Sequence, residues 1–350
     1  VKAKKGNDDK GLIFTRSGKD VFTTLTEVKS AYKLGAKINI KYGVKFEILD
    51  IQGYEKYPFL ELFKYFAKQR NKYKKGTQLN KLWKLIANSF TGKIGQGIKG
   101  KRVYDFSSAE MNDIPQSKVS CPPYITELTS VGRTVITEVM NCFILEGWEI
   151  MNVVTDGFLA RSPNNKIVTS EDINNIIEKY KNDDRFPTLN RWTEAVKSLE
   201  EKSYLEIKHT GTDLLVVKTR VCALLNIENE ELSQYATTGF TNPPEWSDYS
   251  LNEQIKAFFK IVTDREKRFK ITTKKLITSR DVRTGKFTGK MIDKEISFNY
   301  DYKRKPTEIK MENDYICIKT KAWENIEEFF IEKDYRERNK DIQIKDLQGD

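Results

Sequence analysis

The strongest constraint on the fold lies between Pro58 and Gly92. After Pro58, the residues Phe59, Leu62, Phe63, Phe66 and Tyr73 recur at helical spacing, and Gly76 then interrupts the pattern. Proline suits the first turn of a helix, where no amide hydrogen is needed, and glycine tolerates the backbone that ends one. Thr77 stands where its hydroxyl can cap a second helix running to Gly92. Two amphipathic helices joined by so short a turn pack against each other, so the spacing predicts a helical hairpin. On a wheel started at Leu79, Leu82, Trp83, Ile86 and Phe90 stay within about 60° of one direction. Lys81, Lys84, Asn88 and Thr91 fall at about 120–200°, on the opposite face. A lysine and an asparagine one turn apart can hold a triphosphate and a sugar or base edge, by point charge and by directed amide hydrogen bonds. The same pattern also describes an ordinary amphipathic helix with a hydrated basic face. Arg70 continues the apolar stripe of the first helix, one turn from Lys74. An inward-facing arginine calls for an anion, which a triphosphate supplies, or is held by its buried stem alone.

The charge around this hairpin is lopsided. The chain of 350 residues carries a formal net charge of +11, with twelve Lys/Arg against two acids in residues 60–105 and fourteen against five in residues 265–305. Two basic blocks on an otherwise slightly acidic scaffold suit two surfaces gripping one long polyanion, or two solvated lysine-rich faces. Hydrophobic residues make up 38%, enough for cores, and the length calls for two or more subdomains. A single histidine, His209, leaves carboxylates, lysines and arginines to do any chemistry. Cys121, Cys142, Cys222 and Cys317 form no C-x-x-C pair, which argues against zinc modules and a disulfide framework and fits a reducing cytoplasm. No apolar run has the length of a membrane span, and the opening Val1-Lys2-Ala3-Lys4-Lys5 has no methionine and no signal-peptide core. The expectation is a cytoplasmic piece of something longer, with no membrane partner.

Elsewhere the pattern predicts helices over 24–35 and 125–145, a strand over 37–49 with period-two apolar residues, and a strand over 102–106. Strands over 148–154 and 158–160 flank a short turn, strands over 204–209 and 213–224 follow, and helices are expected at 251–264 and near 322–338. The fold class is α+β with an inserted helical hairpin. Gly95-Gln96-Gly97-Ile98-Lys99-Gly100 spells G-x-G-x-x-G but follows a helix and precedes a strand, the reverse of a dinucleotide fold. Arg102 stands where a P-loop needs Ser or Thr, so that reading fails too.

Thr155-Asp156-Gly157 sits between apolar strands, where Asp-Gly is a strong hairpin signal. Asp156 alone is a turn aspartate. It is also a carboxylate fixed at a rigid tip, which is what two-metal phosphoryl transfer requires.

Spelling narrows these alternatives. Lys84-Leu85-Ile86-Ala87-Asn88-Ser89-Phe90-Thr91-Gly92 fits K-x-x-x-N-S-x-x-G and resembles the fingers motif of B-family DNA polymerases. The resemblance implies that Lys84 contacts the phosphates of the incoming dNTP, joined by Arg70 and Lys74, and that Asn88 positions the nucleotide. Thr91 stands where the family has Tyr beside the nascent base pair. Ser89 and Gly92 fall on the primer and template side. Val154-Thr155-Asp156-Gly157 aligns with the family's D-T-D-S core: Asp156 keeps the principal metal ligand for Mg²⁺ or Mn²⁺, and Val154 replaces the other aspartate. This T-D-G spelling is similar to that of protein-primed and primer-independent relatives. Thr129-Ser130-Val131-Gly132-Arg133 resembles T-x-x-G-R, in which Thr129, Gly132 and Arg133 meet the DNA backbone. Lys218-Thr219-Arg220 falls where the family has a K-x-Y grip on the primer, without its Tyr.

The order of these fragments covers roughly residues 10–225 and implies a right-handed palm, fingers and thumb. Residues 1–58 and 123–235 are then palm, 59–92 fingers, 93–122 a connection with room for a processivity insertion, and 236–350 thumb. The implied partners are primer–template DNA, dNTP, the N-terminal part of the polymerase and a terminal protein primer, in a viral or mobile-element setting. The family's D-x-x-S-L-Y-P segment and exonuclease carboxylates are missing, and Asp50 is the nearest stand-in for the second metal-binding aspartate. A trimmed polymerase, a split one, and a degenerate DNA-binding relic all fit that gap.

Overall fold

The structure is a computed structural model that describes residues 2–5, 8–46, 59–97, 102–105, 107–108, 110–163, 168–199, 203–218, 221–226, 231–237, 246–250, 253–254, 256–258, 269–274, 291–296, 303–312 and 315–338. The chain divides into two compact units. One comprises Val1–Phe22, Gly211–Leu276 and Gly289–Asp350, the other Thr23–Thr210 with Ile277–Thr288.

The first unit opens with an antiparallel ribbon of β1 (Lys2–Lys5) and β2 (Asp8–Leu12). The second unit begins at α1 (Leu25–Lys33), started by a capping box in which the Thr24 hydroxyl and the Glu27 carboxylate satisfy each other's backbone amides. Then come α2 (Leu60–Asn71) and α3 (Gln78–Ile94), the expected hairpin. Its turn uses Gly76 at φ +90°, and Thr77 caps α3 by accepting from the Asn80 amide. A ribbon of β3 (Arg102–Asp105) and β4 (Glu110–Asp113) follows. Next is α4 (Pro122–Leu145), begun by its two prolines and ended at Gly147, φ +80°. The hairpin β5 (Glu149–Val154) and β6 (Gly157–Arg161) leads to α5 (Ser170–Tyr180) and α6 (Leu189–Ser198). In the first unit, β7 (Asp213–Lys218), β8 (Val221–Asn226) and β9 (Glu231–Thr237) make a meander. The pairs β10 (Phe269–Lys274) with β11 (Met291–Ile296), and β12 (Lys305–Glu312) with β13 (Tyr315–Lys321), precede α7 (Ile326–Arg338). Ile13, Trp323 and Phe329 form a small core there. The mixture of helices and antiparallel strands is α+β, as expected.

The second unit's core lies on one face of α4. Val135, Val139, Cys142 and Phe143 pack against Ile173, Ile177, Phe186 and Leu189. Burial pushes the Cys142 thiol up to about 12, aided by the charges of Glu138 and Asp183, so it behaves as an inert core residue. At 24 residues α4 is long and apolar enough to cross a membrane, which corrects the expectation that no apolar run has that length. Its packing, with Phe143 and Val139 buried and Arg133 and Glu138 along its length, is that of a core helix.

A second face of α4 is polar. Ser130, Thr134 and Glu138, spaced at i+4, are all buried. Ser130 and Thr24 share a short hydroxyl–hydroxyl hydrogen bond, so small polar side chains line the seam with α1. Glu138 accepts from the Thr188 amide at 3.1 Å, capping the start of α6. The Ser30 hydroxyl lies close to the same carboxylate without a hydrogen bond of regular geometry. Burial raises the Glu138 carboxyl above the ordinary range, only partly offset by Ser30 and Thr188.

Three expectations are corrected. Residues 37–46 form no strand, because no neighbouring strand supplies a ladder among the described residues; 47–49 lie outside them. Residues 204–209 are also irregular: the Tyr204 amide is taken by the Asn174 side chain at 3.1 Å rather than by a sheet. Residues 213–224 are two strands, since Lys218 pairs with Val221 and the chain reverses between them. Of the helix expected at 251–264, residues 253–254 and 256–258 are helical and the others lie outside the described residues.

Candidate nucleotide and nucleic-acid site

The helical hairpin is zipped by aromatic rings. Phe90 of α3 meets Phe59, Phe63 and Phe66 at centroid distances of 5.4, 5.7 and 6.1 Å, and Phe59 also touches Tyr124 of α4 at 5.4 Å. Asn80, buried, donates its amide to the carbonyls of Arg70 and Tyr73, both at 3.1 Å, and so holds the end of α2. With this face occupied, Lys84, Asn88 and Ser89 are left on the exposed side of α3. Thr91 is half-buried, its hydroxyl returned to the Ala87 carbonyl at 3.1 Å. Leu79 and Leu82, expected in the packed face, are 47% and 48% exposed. The packed face is rotated toward Trp83, which meets Tyr65 and Phe66 of α2, and toward the buried Ile94. Arg70 is half-buried in α2 and Lys74 exposed at the turn.

Asp156 sits at the tip of the β5–β6 hairpin. The root is fixed to the core by Phe158 and Trp148, whose rings lie 5.4 and 5.0 Å from Phe143. Val154 pairs with Gly157, so the two loop residues are Thr155 and Asp156, one position earlier than the Asp-Gly signal suggests. Of these two, Thr155 alone is left-handed, at φ +57°. A β-branched residue there costs on the order of 1–3 kcal/mol, which the anchored strands sustain. Asp156 is exposed, and no hydrogen bond or ion pair engages its carboxylate among the described residues.

The T-x-x-G-R segment lies inside α4. The Thr129 hydroxyl bonds the carbonyls of Ile125 and Thr126, both at 3.0 Å, and Ser130 faces the seam. Arg133 is bound through Nε to Glu27 Oε1 at 2.7 Å, a partner 106 residues away that the sequence did not reveal. Burial acts to raise Glu27, but hydrogen bonds from Arg133 and Thr23 outweigh it and hold the carboxyl below the ordinary range. Arg133 keeps 60% of its side chain exposed, so one edge of the guanidinium is fixed and the rest is open. Gly132 is exposed within the helix, and a Cβ there would meet nothing within 4 Å; Gly92 of α3 is the same. Glycine inside a helix costs about 1 kcal/mol relative to alanine, and the fold itself needs it at neither place. Gly132→Ala is therefore expected to raise stability by about 0.5–1 kcal/mol in urea unfolding.

Lys218 ends β7 in the first unit, and Arg220 lies outside the described residues. Glu206 pairs with Lys75, in the turn between α2 and α3, through a short contact. The Lys75 hydrogen bond, against a small burial effect and with the charges of Lys75, Lys208 and Lys84, holds Glu206 below the ordinary carboxyl range.

Among the described residues, no group of three or more His, Cys, Asp and Glu side chains is placed to hold a metal. Asp156 supplies one carboxylate. A two-metal centre needs at least two, so the described residues alone do not fit one. Asp50 lies outside them.

The chain is 25% identical over 327 residues to a primer-independent DNA polymerase PolB of Escherichia coli, covering 92% of this chain. The chain resembles a DNA polymerase along nearly its whole length. It spans 36% of the length of that curated relative. No protein-family model matches the chain, and no solved structure matches it. The similarity supports a relationship to B-family-like DNA polymerases.

Proposed function

We propose that this chain is the palm, fingers and thumb portion of a B-family DNA polymerase, of the protein-primed or primer-independent branch, catalysing template-directed nucleotidyl transfer. The observation that carries the reading is the PolB similarity across 92% of the chain, together with the exposure of Lys84, Asn88, Arg133 and Asp156. Lys84 and Asn88 project from a helix whose other face is locked by aromatic packing, so they are presented rigidly to a ligand. Lys84, with Arg70 and Lys74, binds the dNTP phosphates, and Asn88 orients the sugar or base edge. Thr91 and Ser89 line the nucleotide and primer side. Gly92, Gly132, Thr129 and Arg133 admit and hold the DNA backbone, and Lys218 and Arg220 grip the primer.

Asp156 holds its carboxylate at the tip for the reacting end of the primer. Asp156, with a second carboxylate from a preceding polymerase segment, would hold Mg²⁺ or Mn²⁺, which would supply charge neutralisation at the transferred phosphoryl group. Primer–template DNA, dNTP and a terminal protein primer are the partners, and the host cytoplasm of a virus or mobile element is the setting.

Lys84→Ala is expected to raise the apparent KM for dNTP about tenfold with a smaller change in kcat, the mark of one lost charge-assisted phosphate contact. Steady-state primer extension measures it, and an unchanged KM contradicts the assignment. The absence of a carboxylate cluster among the described residues favours a second reading, a non-catalytic DNA-binding protein on a degenerate polymerase fold. It predicts DNA binding that survives every substitution at Asp156 and no extension by any form of the chain.

A further inference from the structure

Between residues 59 and 97 there are nine Lys/Arg and a single acid, Glu61. Glu61 is engaged within α2 by Lys64 at 2.8 Å. The hairpin's remaining cations must therefore find their anions elsewhere. Among the described residues, the carboxylate that ion pairing brings to the hairpin from outside is Glu206. It comes from an irregular segment more than a hundred residues later and bonds Lys75 at the turn joining α2 to α3. Lys84 and Lys208 lie near enough for their charges to act on it. Glu206 thus places a carboxylate on Lys75 at the hairpin turn, beside Lys74, one of the proposed phosphate ligands. Its side chain stays 50% exposed and Lys75 66% exposed, so the pair is open to exchange with a solute anion.

We propose that Glu206 is a built-in competitor for the proposed phosphate site, a carboxylate that pairs with Lys75 beside Lys74 and yields this lysine cluster to a polyphosphate. The idea rests on the proposed nucleotide site and adds a residue that sets its affinity. Holding the lysines in this way keeps a strongly basic surface from capturing nucleic acid or inorganic phosphate indiscriminately, at the expense of nucleotide affinity. An exposed ion pair is weak, so a triphosphate with several charges displaces it easily.

The test is calorimetric titration of the full chain with inorganic tripolyphosphate and with dATP, comparing wild type with Glu206→Gln, Glu61→Gln and Lys84→Ala. Glu206→Gln is expected to bind both ligands about two- to fivefold more tightly, the scale of one exposed ion pair, while Glu61→Gln changes little. Equal tightening in Glu61→Gln would reduce the effect to bulk charge and overturn the proposal. Unchanged or weaker binding by Glu206→Gln overturns it as well, while the nucleotide site itself stands if Lys84→Ala weakens binding. No effect of Lys84→Ala on either ligand overturns the site and with it the competitor. Thermal unfolding of Glu206→Gln separates the roles: a merely structural ion pair would lower stability and affinity together.

Discussion

On the proposed function, Asp156→Ala is expected to reduce primer extension by at least a hundredfold to a thousandfold, the scale of losing one preorganised electrostatic group at a reacting phosphoryl centre, and to leave duplex-DNA affinity within about twofold. The expectation follows from where the residue sits. Its carboxylate is at the tip of a hairpin whose root is clamped by Phe158 and Trp148 against Phe143, so truncation removes a functional group without disturbing the core. It caps no helix and pairs with no cation among the described residues, so the fold does not depend on it. Asp156→Asn keeps the shape and is expected to fail almost as badly, because the charge is what the reaction uses. Extension assays under single-turnover conditions, with anisotropy on the same preparations, check both halves. Activity retained in the alanine variant would assign the residue to the turn alone.

Glu138→Ala is expected to be the most destabilising single change in the second unit, by about 3 kcal/mol, from an orphaned amide cap and a buried void together. The carboxylate is fully buried and receives the Thr188 amide that opens α6. Glu138→Gln retains an acceptor and should cost about 1 kcal/mol or less near neutral pH. The pH dependence has a definite sign. Burial raises the folded-state pKa, so the group's contribution is fully present below the ordinary glutamate value and is lost as pH rises through that value toward the raised one. Glu138→Gln removes that decline. Glu178 and Asp183, both held at about 2, the first by Lys181, Lys197 and Tyr204 and the second by Arg185, act oppositely. Their stabilisation is present above the ordinary carboxyl range and lost as pH falls toward 2. Urea midpoints across pH, variant against wild type, isolate the Glu138 component.

How much of this was legible depends on the range of the interactions involved. The helical hairpin could be read because its signals are local: a proline start, a glycine at left-handed φ, a threonine cap and a stripe of aromatic residues. The exposure of Lys84 and Asn88 followed from the same periodicity, though the packed face turned away from Leu79 and Leu82 once α2 and α4 were both in place. The hairpin bearing Asp156 was legible, with its turn read one residue too long, since Gly157 pairs with Val154. Sequence favours Asp-Gly at the tip, whereas the paired strands put a strained Thr155 there. The strand over 37–49 failed because period two marks a strand only where a neighbour completes the ladder. The clasp between Arg133 and Glu27 and that between Lys75 and Glu206 join residues more than a hundred positions apart, which no local pattern encodes. The polar seam of Ser130, Thr134 and Glu138 was hidden for another reason: inside an apolar helix its i+4 spacing resembles an ordinary solvent face.

Templated incorporation of a single nucleotide tests the central claim most directly. The chain, together with any polypeptide that precedes it in its polymerase, is given a labelled primer–template, Mg²⁺ and each dNTP in turn. The account predicts that the primer grows by one residue with the complementary dNTP and not with the other three. A preparation that binds the duplex tightly yet adds no nucleotide, or adds all four alike, would contradict it.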